Sequence, residues 1–518
     1  MVERASRAAG ALVSALRLAA LVGLGSALAA QDVGYRGPSL VGSGPSVGIP
    51  SVTASKPESK LWFHDGSWWG SLWSSTGLAF HIHRLDPLSH TWLDTGVALD
   101  ARPDSHGDAL SDGTKLYFAS HEYATGVGVP GALLLLSRFS YATATDTYSL
   151  DPGFPATIGD STTETLVIDK DSTGTLWAAW KQASRVHFAH SVGSDEVWSK
   201  PAILPENTSD FDEDDICSLI HFRDKIGVMW SDQLLNSYFF STHQDGAPDS
   251  DWSPVEQATI GESEDHIHLE ADSTGRVFAV VKNGLDEIKL LVRDVAGSWQ
   301  QHLVSTGPEG FTRPIVLLDE EARRIHVFAT VGPTSLGGAI QRKSTSLDAI
   351  AFAPGQGTLV IQDGGGRVVN NVTSTKQNLT SVTGRVVLAA NLTTAGNTWH
   401  DEVAGVPAGN GLLLASPSPG LAGVLNTFTV TGATPRAVVS FFASPRAGSR
   451  LILPSRCSGG ILSALGLPRI LLKSTRANAS GVATVLVLVS TTAAGQTYHL
   501  EALEAASCRV SNKVVQQF

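Results

Sequence analysis

Charge is scarce in this chain. Asp, Glu, Lys and Arg make up 17% of its 518 residues, against roughly 25% in an ordinary soluble domain. With 51 glycines and twelve tryptophans, that composition excludes a disordered tail or a coiled coil and points to an extracellular all-β chain. Basic residues are outnumbered 37 to 49, the formal net charge is −12, and no basic block occurs. Nucleic acid is thereby excluded as a partner. Cysteine falls to three residues. Long apolar runs are missing beyond the first thirty residues, so no membrane span is expected. Tryptophan is missing after Trp399.

The N-terminal thirty residues read as an address. Arg4, Arg7 and Arg17 precede the apolar run Leu18 to Leu28, and Ala27 and Ala29 frame an A-x-A cleavage site. This is a secretory signal-peptide pattern over residues 1–29, too short for the ~20 apolar residues of a span. The protein is expected outside the cell. In an oxidising compartment Cys457 and Cys508 are expected to pair. Cys217 is left over, in the apolar run Ile216 to Ile220, as a buried inert thiol.

An aromatic residue recurs every 47 to 56 positions: Trp92, Tyr148, Trp198, Trp252, Trp299, Phe352 and Trp399. Within each interval an apolar run, a turn and a second apolar run follow one another. Leu166-Val167-Ile168, Asp171-Ser172-Thr173-Gly174 and Leu176 to Trp180 form one example; Ile267-His268-Leu269, Asp272-Ser273-Thr274-Gly275 and Val277 to Val281 form a close copy. Gly and Asp belong in such turns because tight hairpins need positive φ. Four strands per unit, seven times, describe a seven-bladed β-propeller. The units fall at about 56–103, 104–155, 160–205, 212–258, 264–307, 310–355 and 370–404, and residues 32–55 offer a closing strand. A sandwich array is the alternative. After residue 405 the alternating runs Thr427 to Val430 and Val482 to Val487 predict a C-terminal β-sandwich domain. The expected division is 30–404 and 405–518.

Hairpin geometry places first-strand starts and second-strand ends at one mouth of the central channel, the default ligand site. Those positions hold Lys56, His106, Glu164, Asp212 to Asp215, Asp265, His266, Arg313 and Lys376, with His121, Lys181, Asp232 and Lys282 from the second strands. The run Asp210 to Asp215 also suits Ca²⁺, which takes carboxylate oxygens; no cofactor is otherwise indicated.

Residues 56–404 resemble the sialidase-like, BNR-type propeller superfamily. Asp171 to Trp177 and Asp272 to Phe278 approximate its S-x-D-x-G-x-T-W box, and Arg313 is the one arginine at a first-strand start. A shorter stretch, Asp104-Ser105-His106, Asp112-Gly113 and Ser120-His121, is similar to ulvan-lyase-like polysaccharide lyases. That resemblance implies β-elimination served by His106 and His121, an arginine placed at Arg313 by position, and a tyrosine without a motif counterpart. Glu264 to Leu269 and Phe311 to Val316 resemble signatures of secreted bacterial propellers, and the C-terminal part resembles their appendage domains.

Three functions remain open, all with a glycan as partner. A polysaccharide lyase acting on a uronate-containing chain would use His106 or His266 as base and Arg313 or Lys376 to neutralise the carboxylate, although Glu164, Asp215 and Asp265 would repel that polymer. A glycoside hydrolase would draw a carboxyl pair from those same three acids. A glycan-binding protein would stack sugars on Trp68, Trp69 and Trp73, which otherwise pack between blades. The oligomeric state is not encoded in any motif.

Overall fold

The computed structural model describes residues 31–43, 52–54, 56–87, 89–102, 105–124, 131–208, 210, 212–332, 338–404, 412–452, 461–506 and 509–518. The signal-peptide segment, Asp104, Cys457 and Cys508 lie outside the described residues. No described helix is long and apolar enough to cross a membrane.

The chain is all β. Between Tyr35 and Ala404 the described residues form seven antiparallel sheets, six of four strands and one of five. Their inner strands are Leu61–His64, Ser105–Ser111, Leu166–Lys170, Cys217–Phe222, Ile267–Ala271, Phe311–Asp319 and Val369–Thr373. Each inner strand neighbours the next, and the first returns to the seventh sheet, so the sheets close a propeller-like ring. Lys60 N and Leu61 N complete it by donating to Ser374 O at 3.1 and 2.9 Å.

Cross-links between inner strands explain why carboxylates sit in them. The Asp108 carboxylate accepts from Ser59 N and Ile168 N, both at 2.8 Å, and Asp169 accepts from His221 N at 2.7 Å. The fold thus satisfies backbone donors that ladders alone would leave orphaned. Between sheets the filling is apolar. Trp62, Trp69, Trp73 and Trp399 are among the most deeply buried side chains, and Trp68 is 7% exposed. Trp68, Trp69 and Trp73 are therefore core, not a sugar-stacking platform.

The turn chemistry is local and follows the expected pattern. Asp171 Oδ1 accepts from Thr173 N and Thr175 N, both at 2.9 Å, while its Oδ2 accepts from Trp177 Nε1 at 3.0 Å. In the copy, Arg276 Nε takes the indole's role toward Asp272 at 2.7 Å. Gly174 and Gly275 have φ of 91° and 86°, the region only glycine enters freely.

Three details depart from the sequence-based units. Trp399 lies in the third strand of the seventh sheet, Asn397–Ala404, because Tyr35–Ser39 supplies the fourth, with Arg36 opposite Trp399. The outer strands Ala156–Asp160 and Thr358–Ile361 lie past the 155 and 355 boundaries. The inner strand of the seventh sheet ends at Thr373, so Lys376 follows that strand instead of starting it.

From Leu413 onward two sheets face each other as a sandwich. One joins Leu413–Leu414, Leu425–Thr431 and Ala483–Leu488; the other is built on Val438–Ser444 and Thr497–Glu504. Phe428, Val430, Phe441, Val485 and Leu500 fill the space between them. Cys217 is fully buried in the fourth inner strand, and burial pushes its thiol up to about 12. That is the buried thiol its apolar setting predicts.

Candidate functional site

One mouth of the ring gathers ionisable groups from the first, second, third, fourth and fifth sheets. Backbone contacts set the second beside the third: Ala124 N donates to Thr163 O at 3.1 Å, and Thr163 N donates to Glu122 O at 3.3 Å. Tyr238 pins the fifth. Its hydroxyl accepts from Glu264 N at 3.0 Å and lies 2.6 Å from both Glu264 O and Lys282 O.

At the centre stands Lys56. Its ammonium donates to Glu164 Oε1 at 3.0 Å and to Asp265 Oδ2. Burial opposes its charge, but Glu164 and Asp265 outweigh burial and raise its pKa above the ordinary lysine value. Asp265 Oδ1 also meets His266 Nδ1 at 2.6 Å. Against burial, His266 and Lys56 hold Asp265 well below the usual carboxylate range.

Asp214 is the third acid. One oxygen each of Glu164, Asp214 and Asp265 lie within 4.8 Å of one another. Burial of its carboxyl and the negative charge of Asp265 push Asp214 up to about 6, with Lys56 opposing. Three like charges this close cannot all ionise freely, and Asp214, on the rim, is the one whose carboxyl is raised, so it holds its proton to higher pH than an ordinary aspartate.

Behind this cluster lies a second one. Glu58 is fully buried, accepts from His121 Nε2 at 2.6 Å, from Lys60 Nζ at 2.8 Å and from Leu166 N at 3.1 Å. The His106 ring lies 5.9 Å from His121 and 4.8 Å from Tyr123. Burial lowers His106 to about 3, so its imidazole is neutral. The Tyr123 phenol is raised, by burial and then by Glu164.

The structure brings together His106, His121, His266, Glu164, Asp265 and Lys181. It uses Asp215 differently. That side chain is fully buried, and its carboxylate accepts from Asp212 N at 2.8 Å and Gln233 N at 3.0 Å, which makes it a turn-holder. Lys376 is apart from the mouth. It pairs with Asp108 at 3.0 Å, toward the other end of the channel, beside Asp169 and Glu270. Arg313 sits at a bulge between Thr312 and Ile315 with φ of 51°. Left-handed backbone at a bulge re-aims a side chain and is found at functional positions. Asn371 repeats that φ at the bulge of the next inner strand.

Three groups of described residues have the donors to hold a metal ion: Glu58, His106 and His121; Glu264, Asp265 and His266; and Glu164, Asp214 and Asp265. Among Glu164, Asp214 and Asp265 the cationic place is taken by the Lys56 ammonium, and Glu58 is already bonded by Lys60 and His121. In the acidic loop Lys181 Nζ donates to the main-chain oxygens Asp212 O at 2.7 Å and Glu213 O.

Glu58 and Tyr123 were not singled out from sequence, and Asp214 only as one of the run Asp212 to Asp215. The signals were present but faint. Glu58 lies inside the alternating Lys56-Pro57-Glu58-Ser59-Lys60, Tyr123 follows His121 at a second-strand end, and Asp214 is one residue from Asp215.

No family model matches the chain, and no curated protein matches it. Solved structures are similar at low identity. The polysaccharide lyase Uly1 is 10% identical with a TM-score of 0.41, over 73% of this chain and 97% of that one. The BP39L lectin from Burkholderia pseudomallei is 10% identical with a TM-score of 0.43, over 68% and 100%. A fungal alcohol oxidase of the AA5 family, in complex with copper, is 12% identical with a TM-score of 0.44, over 94% and 99%. Likeness at this level says nothing of this chain's chemistry.

Proposed function

We propose that the mouth is the active centre of an exported, glycan-cleaving enzyme, and that it works by hydrolysis with Asp214 as general acid and Glu164 as the carboxylate facing it. The observation that carries this reading is the grouping of Glu164, Asp214 and Asp265 within 4.8 Å, in settings that push Asp214 up to about 6 and Asp265 down. Carboxyl groups whose environments separate their titrations take opposite proton-transfer roles. Protonated Asp214 gives its proton to the glycosidic oxygen as that bond breaks and Glu164 bonds to the anomeric carbon; the Asp214 carboxylate then takes a proton from the water that displaces Glu164 and completes the hydrolysis. Glu164 has Oε1 tied to Lys56 and Oε2 without a hydrogen-bond partner, which leaves one oxygen for the anomeric carbon. Lys56 keeps Glu164 oriented. Asp265 and His266 in turn hold Lys56.

Three buried atoms around the mouth, His106 Nδ1, Glu164 Oε2 and His266 Nε2, have no hydrogen-bond partner in the protein. Buried polar atoms rarely stay unpaired. A polyhydroxyl substrate supplies partners for the two imidazole nitrogens, while Glu164 Oε2 faces the anomeric carbon. Charge decides which glycan. Lys56 is shared by two carboxylates, Lys282 is paired with Glu264 at 2.7 Å and Asp286 at 2.8 Å, and Lys181 faces carbonyls. An acidic mouth whose lysines are already engaged favours a neutral glycan over a uronate.

A second reading, β-elimination, is favoured by one arrangement: neutral His106 with a free Nδ1, 4.8 Å from the Tyr123 ring. One assay separates the two. The secreted protein is incubated with neutral and acidic polysaccharides while reducing ends and the ultraviolet absorbance of unsaturated uronate are recorded together. Hydrolysis gives reducing ends without absorbance. Absorbance rising with reducing ends overturns it in favour of elimination, and binding without cleavage makes the propeller a lectin.

The spacing also sets the stereochemistry. Retaining enzymes hold their carboxyl groups ~5–5.5 Å apart, and inverting ones ~6.5–9.5 Å apart to seat a water. One oxygen each of Glu164 and Asp214 within 4.8 Å fits the closer, retaining arrangement. Proton NMR of the first-formed product should show the anomeric configuration of the substrate; inversion would exclude this pair.

A further inference from the structure

Away from the mouth, a second set of ionisable side chains gathers where the sixth and seventh sheets meet. Second strands end at the mouth, so their starts lie at the opposite end of the ring. Arg324 and His326 open the second strand of the sixth sheet, Arg324–Val331, and Arg385 opens that of the seventh, Gly384–Asn391. The third strand of the sixth sheet, Ala339–Ser346, sets Arg342 opposite Phe328 and Ser344 opposite His326. Residues two apart on a strand share a face, and partners in register are near neighbours. His326, Phe328 and Arg342 therefore lie on one face. Arg385 meets that face from the seventh sheet: its guanidinium is 5.2 Å from the centre of the fully buried Phe328 ring. Phe328 is thus a floor shared by two arginines, with the His326 ring 6.4 Å from it.

The charges here do not balance. Among the described residues Asp401 is the one carboxylate paired with these groups, 3.0 Å from Arg385 Nη2. The acids of the adjoining hairpin loop are engaged elsewhere: Glu320 accepts from Ser273 Oγ at 2.6 Å and from Asn378 Nδ2 at 2.9 Å, and Glu321 accepts from Ser381 N at 2.7 Å. Burial and then the charge of Arg385 lower Arg342, against Asp401. Burial and then Arg385, Arg342 and Arg324 lower His326 to about 3. The Arg385 side chain is 9% exposed, and its Nε is buried without a hydrogen-bond partner. A buried donor rarely stays unpaired, and two neighbouring guanidiniums with one carboxylate between them lack an anion.

We propose that Arg342 and Arg385, with His326 beside them, bind an oxyanion (a carboxylate, sulfate or phosphate group) at the end of the ring opposite the mouth. Guanidinium forks match the oxygens of such groups, often two at a time. A neutral sugar would leave the positive charge uncompensated, and a cation would be repelled. An inorganic anion and an acidic sugar offer the same oxygens. The site is separate from Glu164 and Asp214, whatever chemistry the mouth performs.

The test is calorimetry of the full secreted chain at low ionic strength, with sodium phosphate, sodium sulfate and galacturonate oligosaccharides as separate titrants. At least one should bind with a Kd of about 1 mM or lower. Binding of the inorganic anions marks a small-anion site, and binding of the oligosaccharides alone marks a subsite for an acidic glycan. Arg342→Gln should weaken that binding at least about tenfold, the loss of one charge-assisted contact. Arg342 is half-buried, so the variant's urea unfolding midpoint should stay in place. Asp401→Asn should act in the opposite direction and tighten binding, because it removes the carboxylate that competes for Arg385. A purely structural cluster would not move affinity in opposite directions. No binding of any titrant, binding untouched by Arg342→Gln, or weaker binding by a folded Asp401→Asn overturns the proposal.

Discussion

Replacing Glu164 by Gln should lower kcat/KM on a neutral glycan by about 10³-fold or more, within the range a positioned acid–base or nucleophilic group contributes, with the fold intact. The reason lies in how Glu164 is held. One oxygen accepts from Lys56 at 3.0 Å, and the other is buried without a partner. A glutamine fills the same space and keeps a carbonyl for Lys56, yet it offers no anion to the reaction. The loss should fall on kcat, because an interaction made only in the transition state leaves substrate binding in place. Asp215→Asn is the comparison. That carboxylate holds the turn at Asp212 and Gln233, so its removal should lower the unfolding midpoint and leave the chemistry of folded molecules close to wild type. Equal loss of kcat in both variants would contradict the assignment.

Lys56→Met should destabilise the protein by about 3–5 kcal/mol near neutral pH, the usual cost of removing one partner from a buried ion pair. Lys56 has a side-chain exposure of 7%, and Glu164 and Asp265 are 8% and 11% exposed. Without the ammonium, two buried carboxylates face each other and Asp214. The pH dependence follows from the signs. Asp265 is depressed in the folded state, so its contribution is present above about pH 4 and is lost as pH falls through the folded value. Lys56 is raised, so its contribution is present below about pH 10 and is lost as pH rises through its folded value. Both are in force between those limits. The gap between wild type and variant in urea unfolding should therefore be widest from about pH 5 to 9 and shrink below pH 4, where protonation relieves the carboxylates. A gap that does not change with pH would mean that Lys56 contributes packing alone.

The ring was readable in the sequence because its signals are local. Strand alternation, Asp and Gly at turns such as Asp171 to Gly174, and one buried aromatic per unit all act within a few residues. Contacts made across the ring were not readable. Trp399 breaks its own pattern because a strand more than 350 residues earlier, Tyr35–Ser39, pairs with its own strand. Lys376 was placed one strand end too early, since the bulge between Asn370 and Thr373 hides where the seventh inner strand stops. At the mouth, residue type and edge were enough to find His106, His121, His266, Glu164 and Asp265. They were not enough to choose Asp214 over Asp215, because adjacent residues in a turn face opposite ways and only the folded loop shows which one meets Glu164. Glu58 escaped notice for a related reason. Its partners His121 and Leu166 are 63 and 108 residues away, and no periodicity links them.

The pH profile of kcat/KM, measured on a cleaved neutral glycan with wild type and Asp214→Asn, tests the central claim most directly. Asp214 must be protonated to act, and it is poised at about 6. The wild-type profile should fall tenfold per pH unit above about pH 6, and Asp214→Asn should lose most of its activity along with that limb. A profile that stays level or climbs from pH 6 to 8, with Asp214→Asn as active as wild type, would contradict carboxyl-driven hydrolysis and return the chemistry to the neutral imidazole of His106.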